Sequence, residues 1–282
     1  MKERITFLVF TYNEARRIEY VMRCFLPYGN VVVMDNHSTD NTVEIVQRMG
    51  GEVHQHDHPG YVEEESVARN ALSKVRTDWV YWGYADELLP RTLLQKMQEV
   101  VREGHYSMVR MPRKNLHFGV ENLNFDSGGA YPRLFRKEVM DFAGTAIHHF
   151  GRFTGAEREA LTLPVYDEYS IYHCSTYTIG KFEQAHSRYS DTEAQQGRFS
   201  VFRLFYEPCK WFFKWYFLRG AWKSGWAGLI MVMQYAFFFF NVQAKRWERE
   251  QGITLESIER NYDAVKERLL RNGSPGRGAG DL

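Results

Sequence analysis

Polar side chains that could hold a small polar ligand follow two apolar runs of this chain. The first run is 5–10, Ile-Thr-Phe-Leu-Val-Phe, and the second is 31–34, Val-Val-Val-Met. The polar residues that come after them are Thr11, Tyr12, Glu14, Asp35 and Asn36. Carboxylate and amide oxygens accept hydrogen bonds from a nucleobase or a ribose hydroxyl, and a tyrosine ring can stack on a base. The pattern therefore predicts a nucleotide site, with the alternative that Asp35 only caps the following helix.

Each apolar run is followed by an amphipathic segment, which predicts alternating strands and helices. Strands are expected near 4–10, 30–35, 52–56 and 78–84, and helices near 14–26, 40–49, 62–76 and 90–103. Such alternation predicts an α/β fold with a mostly parallel sheet that helices cover on both faces. Ligands bind these sheets at the carboxyl ends of the strands, where Asp35 is expected. Neither turn carries G-x-G-x-x-G or G-x-x-x-x-G-K-[ST], which argues against a dinucleotide or P-loop site.

After about residue 105 the pattern changes first to strands and loops, and then to helices. Strands are expected at 106–111, 131–135 and 169–173, and helices at 178–196 and 254–270. We therefore expect a sheet domain at 1–197, aromatic and basic helices at 198–250, and a C-terminal helix with a disordered tail at 251–282.

Short motifs in a fixed order carry a resemblance to a known family. They are Thr11-Tyr-Asn-Glu14, Asp35-Asn-His-Ser-Thr-Asp40, Gly60-Tyr61, Ala68-Arg-Asn-Ala71, Asp78-Trp-Val80, Ala85-Asp-Glu87, Arg133-Leu-Phe-Arg136, His173 and Arg188-Tyr-Ser190. Over residues 4–247 the chain resembles the family-2 glycosyltransferases of GT-A fold, and within them the lipopolysaccharide-core β-glucosyltransferases. The resemblance implies an inverting enzyme that moves a sugar from a nucleotide-sugar, such as a UDP-sugar, to a lipid-linked glycan such as lipopolysaccharide core.

The resemblance also implies roles for residues around the fourth predicted strand. The family places Arg69 near the nucleotide and its phosphates; the alternative is a solvated helix face. It also carries D-x-D at the strand end, where a divalent cation bridges carboxylate and phosphate oxygens. Here Tyr84 replaces the first acid, and its phenol is a poor metal ligand that can still bond a ribose or phosphate oxygen. Asp86 is then the expected ligand of Mg²⁺ or Mn²⁺, with assistance from Glu87 and with a loop or cap role as the alternative.

A general base must deprotonate the acceptor hydroxyl, and relatives carry a His-Glu pair for this after the R-L-F-R strand. This chain has His148 and His149, so His149 stands where the glutamate is expected, and its imidazole could take the proton. The alternatives are a structural histidine pair, a site without a base, or one of the carboxylates Asp126, Asp167 and Glu168.

Cationic and aromatic residues of the second half are expected on the acceptor side of the cleft. Arg133, Arg136 and Tyr131 suit phosphate or sugar contacts, because guanidinium groups and aromatic faces bind such groups, and His148 is placed with them. The alternative is that one arginine packs in the core and the other is solvated.

Composition excludes several other classes of protein. A formal charge of +1 gives no reason to expect a nucleic-acid partner. The three cysteines are widely spaced, which favours reduced thiols in a cytoplasmic protein over a zinc or disulfide framework. No secretory signal is recognised at the start of the sequence.

Aromatic residues, 16% of the chain, crowd between 199 and 247 among basic residues. No charged residue occurs between Lys223 and Lys245, a length that could cross a bilayer. Glycine, glutamine and asparagine interrupt the segment, and mixed aromatic and basic helices are typical of the headgroup layer. We therefore expect peripheral or monotopic attachment to the cytoplasmic face of the inner membrane. A span or re-entrant hairpin and a core or homo-oligomer interface are the alternatives.

Two other functions compete with the enzyme. A nucleotide-binding scaffold derived from such an enzyme is favoured by the substitutions at Tyr84 and His149. A sugar-nucleotidyltransferase is disfavoured because the glycine-rich first loop of that class is missing.

Overall fold

The computed structural model describes residues 5–57, 64–119, 129–143, 151–176 and 178–272. The chain divides into two compact units, which are described separately. The first comprises residues 1–122 and 126–177, and the second comprises 123–125 and 178–282.

The first unit is built on a mixed sheet. Its strands are β1 (Ile5–Thr11), β2 (Asn30–Asp35), β3 (Glu52–Gln55), β4 (Trp79–Tyr84), β5 (Glu87–Leu88), β6 (Met108–His117), β7 (Ala130–Arg136), β10 (Ala160–Thr162) and β11 (Ile171–Thr176). The strand order is β3-β2-β1-β4-β7-β6-β11-β5, with β10 paired to β6. Strands β1 to β4 run parallel, whereas β7 is antiparallel to both of its neighbours. A separate two-stranded ribbon joins β8 (Met140–Asp141) to β9 (Arg152–Phe153).

Helices cover both faces of this sheet. They are α1 (Ile18–Phe25), α2 (Thr42–Arg48), α3 (Glu65–Ser73) and α4 (Arg91–Glu103). All seven residues of β1 are buried, as expected for a central strand whose two faces both pack against other elements. Two apolar clusters result: one contains residues of α1 and α4, and the other contains residues of α3. This packing fixes the sheet, and with it the positions at which β1, β2 and β4 end.

The second unit consists of helices. They are α5 (Ile179–Ala194), α6 (Val201–Phe213), α7 (Gly225–Glu250) and α8 (Leu255–Asn272). A π-helical turn, Lys214–Leu218, and a short 3₁₀ helix, Ala221–Ser224, connect α6 to α7. Gly228 is required at the start of α7, because a Cβ there would lie 2.0 Å from the carbonyl oxygen of Ala221.

The α/β architecture confirms the prediction from alternating apolar runs, but the predicted domain boundary at 197/198 differs from the division at 177/178. Helix α5 belongs with the helical unit because polar contacts join it to α7. The Lys245 ammonium donates to the Ser190 hydroxyl at 2.8 Å, and the Gln234 amide donates to Glu183 at 3.1 Å. Phe182 also packs edge-on against Tyr235.

Candidate active site

Three parallel strands end side by side at one edge of the first unit. Thr11 of β1 lies opposite Asp35 of β2, and Phe10 lies opposite Tyr84 of β4. The structure therefore brings together Thr11, Asp35 and Tyr84 at the edge where ligands of open α/β sheets bind. The Thr11 hydroxyl is buried and has no hydrogen-bond partner among the residues that the structure describes, so it is available to a ligand atom.

Asp35 is fully buried, and its carboxylate organises the turn that follows β2. One oxygen accepts from the Ser38 backbone N–H at 2.8 Å, and the other accepts from the Ser38 hydroxyl at 2.5 Å. His37, which lies in the turn between Asp35 and Ser38, adopts a left-handed backbone conformation with φ +57°. These bonds match the alternative in which Asp35 shapes the turn ahead of α2, and the contact of Asp35 with a base stays a prediction, because each carboxylate oxygen can accept a further bond.

The turn after β1 is tied to this second turn by side-chain bonds. The Asn13 N–H donates to the Ser38 hydroxyl at 2.8 Å, and the Thr39 N–H donates to the Asn13 side-chain oxygen at 2.7 Å. The Glu14 N–H donates in the same way to the Thr42 hydroxyl at 2.8 Å. Because these bonds hold the two turns together, Tyr12 is presented between fixed neighbours with 56% of its surface exposed. An exposed ring held in this way suits base stacking.

We predict that Asp35→Ala lowers the free energy of unfolding by about 1–3 kcal/mol, because the Ser38 N–H and hydroxyl both lose their acceptor. Asp57→Ala is the matched control, since its carboxylate is almost fully exposed and bonds the exposed His37 ring. Urea denaturation measures both changes. Equal, small losses in the two variants would contradict the structural role of Asp35.

A second group of charged side chains surrounds Asp86, just after β4. The chain turns there into β5, which pairs with β11 through Glu87 and His173, and the Cys174 N–H donates to the Asp86 carbonyl oxygen at 2.8 Å. One carboxylate oxygen of Asp86 lies 3.2 Å from His173 Nε2 and 3.9 Å from a guanidinium nitrogen of Arg17. About a fifth of the Asp86 side chain, 21%, is exposed.

The charges around Asp86 determine its ionisation. Burial raises the pKa of the Asp86 carboxyl, but His173, Arg17 and Arg113 outweigh it and lower the pKa to about 2. The group is therefore an anion throughout the physiological range. Because this pKa lies below that of an aspartate in an unfolded chain, near 3.9, ionised Asp86 stabilises the fold above about pH 4. That contribution is lost as the pH falls towards 2.

Histidine 173 is held in one orientation by β6. Its Nδ1–H donates to the side-chain oxygen of Asn115 at 2.7 Å, so Nε2 is the nitrogen that faces Asp86. A histidine that binds a metal commonly donates its other N–H to an oxygen acceptor in this way. The 3.2 Å between Nε2 and the Asp86 oxygen is close to the roughly 3.0 Å between adjacent ligands on an octahedral cation with bonds of about 2.1 Å. In this structure the distance is that of an ion pair, and a divalent cation held by both atoms would replace this contact.

No group of three or more His, Cys, Asp or Glu side chains in the described ranges could hold a metal ion. A cation at Asp86 and His173 would need further oxygens from a ligand. Mg²⁺ sites are often of this kind, with one or two protein ligands and the phosphates of a substrate.

Glu14 positions the Arg17 cation. Its carboxylate forms a bidentate ion pair with Arg17, whose Nη1 also donates to the Cys174 carbonyl oxygen at 2.9 Å. Burial raises the pKa of Glu14, and the adjacent Arg17 guanidinium acts in the opposite direction. In this structure Glu14 fixes Arg17 beside Asp86, and its expected nucleotide contact stays a prediction.

Arg133 lies inside the protein, in contrast to the predicted contact with phosphate or acceptor. Its side chain is fully buried and forms an ion pair with Glu87, which is also fully buried. Its Nε donates to the Trp82 carbonyl oxygen at 2.6 Å, and the guanidinium lies 5.4 Å from the Tyr84 ring. Because its guanidinium is fully buried against Glu87 and the β4 backbone, Arg133 supports the end of β4. Glu87 is likewise committed to this pair and does not assist Asp86.

Arg136 lies away from the expected position, and Arg69 lies on a solvated helix face. Arg136 pairs in register with Trp79 at the amino end of β4, about 16 Å along the strand from Tyr84, and its guanidinium packs over the Trp79 ring. Arg69 is exposed and bonds Glu65 one helical turn away. Both positions match the alternatives of a packed or solvated arginine.

The remaining predicted site residues have the following positions and contacts. Tyr131 lies at the start of β7, with the Arg113 guanidinium 5.6 Å from its ring. The Asn36 N–H donates to the Thr11 carbonyl oxygen at 3.0 Å. Asp167 is exposed and bonds Lys114 at 3.0 Å, and Glu168 is exposed next to it. His148, His149 and Asp126 lie outside the described residues.

Sequence reasoning missed Arg17, Asn115 and Arg113, and gave His173 no chemical role. Arg17 had a signal, because a helix was expected from residue 14 and an acid three residues before an arginine on a helix commonly pairs with it, although α1 begins only at Ile18. Arg113 and Asn115 had none, because their approach to the site depends on the pairing of β6 with β11. The Arg113 Nε is buried without a hydrogen-bond partner in the part of the chain that the structure describes.

Comparison with known proteins identifies the family to which the chain belongs. The model of Glycosyl transferase family 2 matches residues 6–161, which is 156 of 282 residues. An uncharacterized glycosyltransferase of Rickettsia felis is 28% identical over 86% of this chain and 89% of its own length. An uncharacterized glycosyltransferase of Rickettsia bellii is 27% identical over 96% of this chain and 95% of its own length.

Among solved structures, the mannosyltransferase PcManGT of Pyrobaculum calidifontis, in complex with GDP-Man and Mn²⁺, matches 95% of this chain and 81% of its own. Its TM-score is 0.44 and its identity 15%. The family match, covering more than half of the chain, decides the assignment. The chain belongs to glycosyl transferase family 2, with a GT-A mixed sheet, and transfers a sugar from a nucleotide-sugar.

Proposed function

We propose that this protein is an inverting glycosyltransferase that uses a UDP-sugar and a divalent cation, and that its acceptor is a lipid-linked glycan at a membrane surface, such as lipopolysaccharide core. The observation that carries the proposal is the arrangement of Asp86, His173 and Arg17 at the carboxyl ends of β1 and β4. An anion, an oriented imidazole and a cation meet there, beside an exposed tyrosine that can stack on a base.

The donor would bind along this edge. Tyr12 would stack on the base, and the buried Thr11 hydroxyl would bond the nucleoside. Asp86 and His173 Nε2 would hold Mg²⁺ or Mn²⁺, which neutralises the negative charge that develops on the departing diphosphate. Arg17, fixed by Glu14, and Arg113 add positive charge on the same side, so the leaving group meets preorganised cations. Tyr84, at the end of β4, would bond a ribose or phosphate oxygen of the donor, and Arg133 would support the strand end through its buried pair with Glu87.

Inversion requires a single displacement, so the protein needs one base and no nucleophile. We assign the base to His149 on the sequence alone, because an imidazole can accept the hydroxyl proton near neutral pH. His148 is placed on the acceptor side by the same reasoning.

The helical unit supports a membrane-bound acceptor. On α7 the exposed apolar residues recur every three or four positions and form one stripe, with Trp226 the most exposed at 79%. The members are Trp226, Ile230, Met233, Phe237 and Phe240. Helix α6 and the turn after it expose Phe202, Phe205, Tyr206, Phe213 and Phe217. We name these ten residues the aromatic face.

The charge and length of the helices distinguish attachment to the membrane surface from a helix that crosses the membrane. Within the described residues, one helical stretch, Ala221–Glu250, has the length and composition to cross a membrane. Its other side packs in the protein: Met231 and Val232 are fully buried, and Lys245 bonds Ser190. Lys210 and Lys214 lie against the Trp211 ring, which places cations beside aromatic surface as in helices of the headgroup layer. We therefore propose interfacial attachment on the cytoplasmic side.

We predict that the full chain binds vesicles containing anionic lipid, and that high salt releases part of it but not all. Salt screens the basic residues, whereas burial of aromatic area is insensitive to it. Trp226→Ser with Phe237→Ser should reduce the bound fraction at high salt in a flotation assay. Val165→Ser with Tyr166→Ser is the control, because these exposed apolar residues lie in the first unit. A parent protein that ignores vesicles would remove the membrane from the proposal.

The activity itself is tested by a donor-hydrolysis and transfer screen. UDP- and GDP-sugars are offered to the parent protein with and without Mn²⁺, in the presence of lipid-linked acceptors. Mn²⁺-dependent release of UDP with an inverted anomeric product supports the proposal. Nucleotide binding without turnover of any donor would favour the scaffold function instead.

A further inference from the structure

Helix α8 carries a narrow apolar stripe. Its apolar residues at heptad spacing are Leu255, Ile258, Tyr262, Val265 and Leu269. At 3.6 residues per turn these side chains fall within an arc of about 80°. A stripe this narrow, with alternating spacings of three and four residues, is typical of the seam between two paired helices.

This stripe is not covered by the described part of the chain. All residues from 259 to 271 are exposed, including Tyr262 at 57% and Val265 at 41%. Burying these side chains would remove apolar area from water, which is the main favourable term in association.

The chemistry of α8 differs from that of the aromatic face and does not suit a lipid surface. The helix contains neither tryptophan nor phenylalanine. Its four basic residues (Arg260, Lys266, Arg268 and Arg271) are balanced by four acidic ones (Glu256, Glu259, Asp263 and Glu267). Helices that bind membranes combine a broad apolar face with an excess of Lys and Arg, and α8 has neither.

We propose that α8 pairs antiparallel with α8 of a second copy of this chain, so that the protein forms a two-fold symmetric dimer. In the register that fills the seam, Ile258 lies against the partner's Leu269, and Tyr262 lies against the partner's Val265. The symmetry repeats both contacts, so one stripe covers the other in four central layers.

Charge complementarity selects the antiparallel direction. In this register Glu259 of one protomer lies beside Lys266 of its partner, and the pair occurs twice. In a parallel pair Lys266 would flank Asn261, and no such pairing would form. Within one helix Lys266 already contacts Glu259 at 3.7 Å and Asp263 at 2.9 Å, so it lies on the side of the helix that the pairing uses. Antiparallel helices also align their dipoles favourably.

The test is sedimentation equilibrium of the full chain in density-matched detergent, which keeps the aromatic face dispersed. We expect a reversible monomer–dimer equilibrium. Val265→Lys should weaken dimerisation at least tenfold, because it places a charge in a central layer. Leu270→Lys is the matched control, since Leu270 is 81% exposed and lies off the stripe, and it should leave the equilibrium unchanged.

Exchanging the charges of Glu259 and Lys266 tests whether the two α8 helices pair antiparallel. Both residues are exposed, so the exchange should not destabilise the fold. Glu259→Lys alone should weaken the dimer, and adding Lys266→Glu should restore it. A monomer at all concentrations overturns the proposal, as does loss of vesicle binding in Val265→Lys, which would make lipid the partner of α8. If the double variant, Glu259→Lys with Lys266→Glu, dimerises as weakly as Glu259→Lys alone, the antiparallel register is wrong. None of these results depends on the enzyme's activity.

Discussion

Asp86→Asn is expected to reduce sugar transfer by at least about 10²–10³-fold, the cost of removing a principal electrostatic contact to the leaving group. Asparagine keeps the shape of the side chain but loses the charge that would hold the cation. Stimulation by Mn²⁺ should disappear together with the activity. Steady-state kinetics with and without Mn²⁺ measures both effects. The Asp86 carboxyl itself adds no pH dependence to this loss between pH 5 and pH 8, because with a pKa of about 2 it is ionised throughout that range.

The control for this variant is Asp141→Asn. Asp141 is also paired with an arginine, Arg152 at 2.7 Å, but it lies in the separate β8–β9 ribbon. The Asp141→Asn variant should retain full sugar transfer and full stimulation by Mn²⁺. If Asp86→Asn remained active in the presence of a chelator, the leaving diphosphate would be neutralised by other groups, and Asp86 would have no part in the chemistry.

Arg133→Met is expected to lower the free energy of unfolding by about 3–5 kcal/mol, because it leaves the fully buried Glu87 carboxylate without its counter-ion. Replacing both partners, with Arg133→Met and Glu87→Leu together, should recover most of that loss, since apolar pairs can substitute for buried ion pairs. Urea denaturation of the two single variants and the double variant forms a complete cycle.

An exposed ion pair provides the comparison. Arg76 contacts Glu52 at 3.2 Å with 83% of its side chain exposed, so Arg76→Met should change stability by no more than about 1 kcal/mol. If Arg133→Met were as mild as this control and instead weakened nucleotide binding, Arg133 would be a phosphate ligand after all.

The sequence predicts the parallel half of the sheet well because its signals are local. Apolar runs of strand length, each followed by an amphipathic segment, locate β1, β2 and β4 to within about one residue. The positions of Thr11, Asp35 and Tyr84 follow directly, since each stands at a strand end and parallel strands end together.

The sequence predicts side-chain partners less well because those depend on distant parts of the chain. Arg133 and Arg136 occupy one strand three residues apart and look equivalent in sequence. Strand β7 runs antiparallel to β4, which carries Arg136 to the amino end of β4 and directs Arg133 onto Glu87. His173 reaches Asp86 only because β11 pairs with both β5 and β6. No local pattern reports a pairing between strands more than fifty residues apart.

The most direct test of the proposed site is pulsed electron paramagnetic resonance of Mn²⁺ bound to the full chain in the presence of UDP. We predict phosphorus couplings from the diphosphate together with one nitrogen coupling from His173, and His173→Gln should remove the nitrogen coupling. Labelling the protein with ¹⁵N-histidine should change that coupling in the parent protein. Phosphorus coupling without nitrogen, or no retention of Mn²⁺ in the presence of UDP, would contradict a cation held between Asp86 and His173.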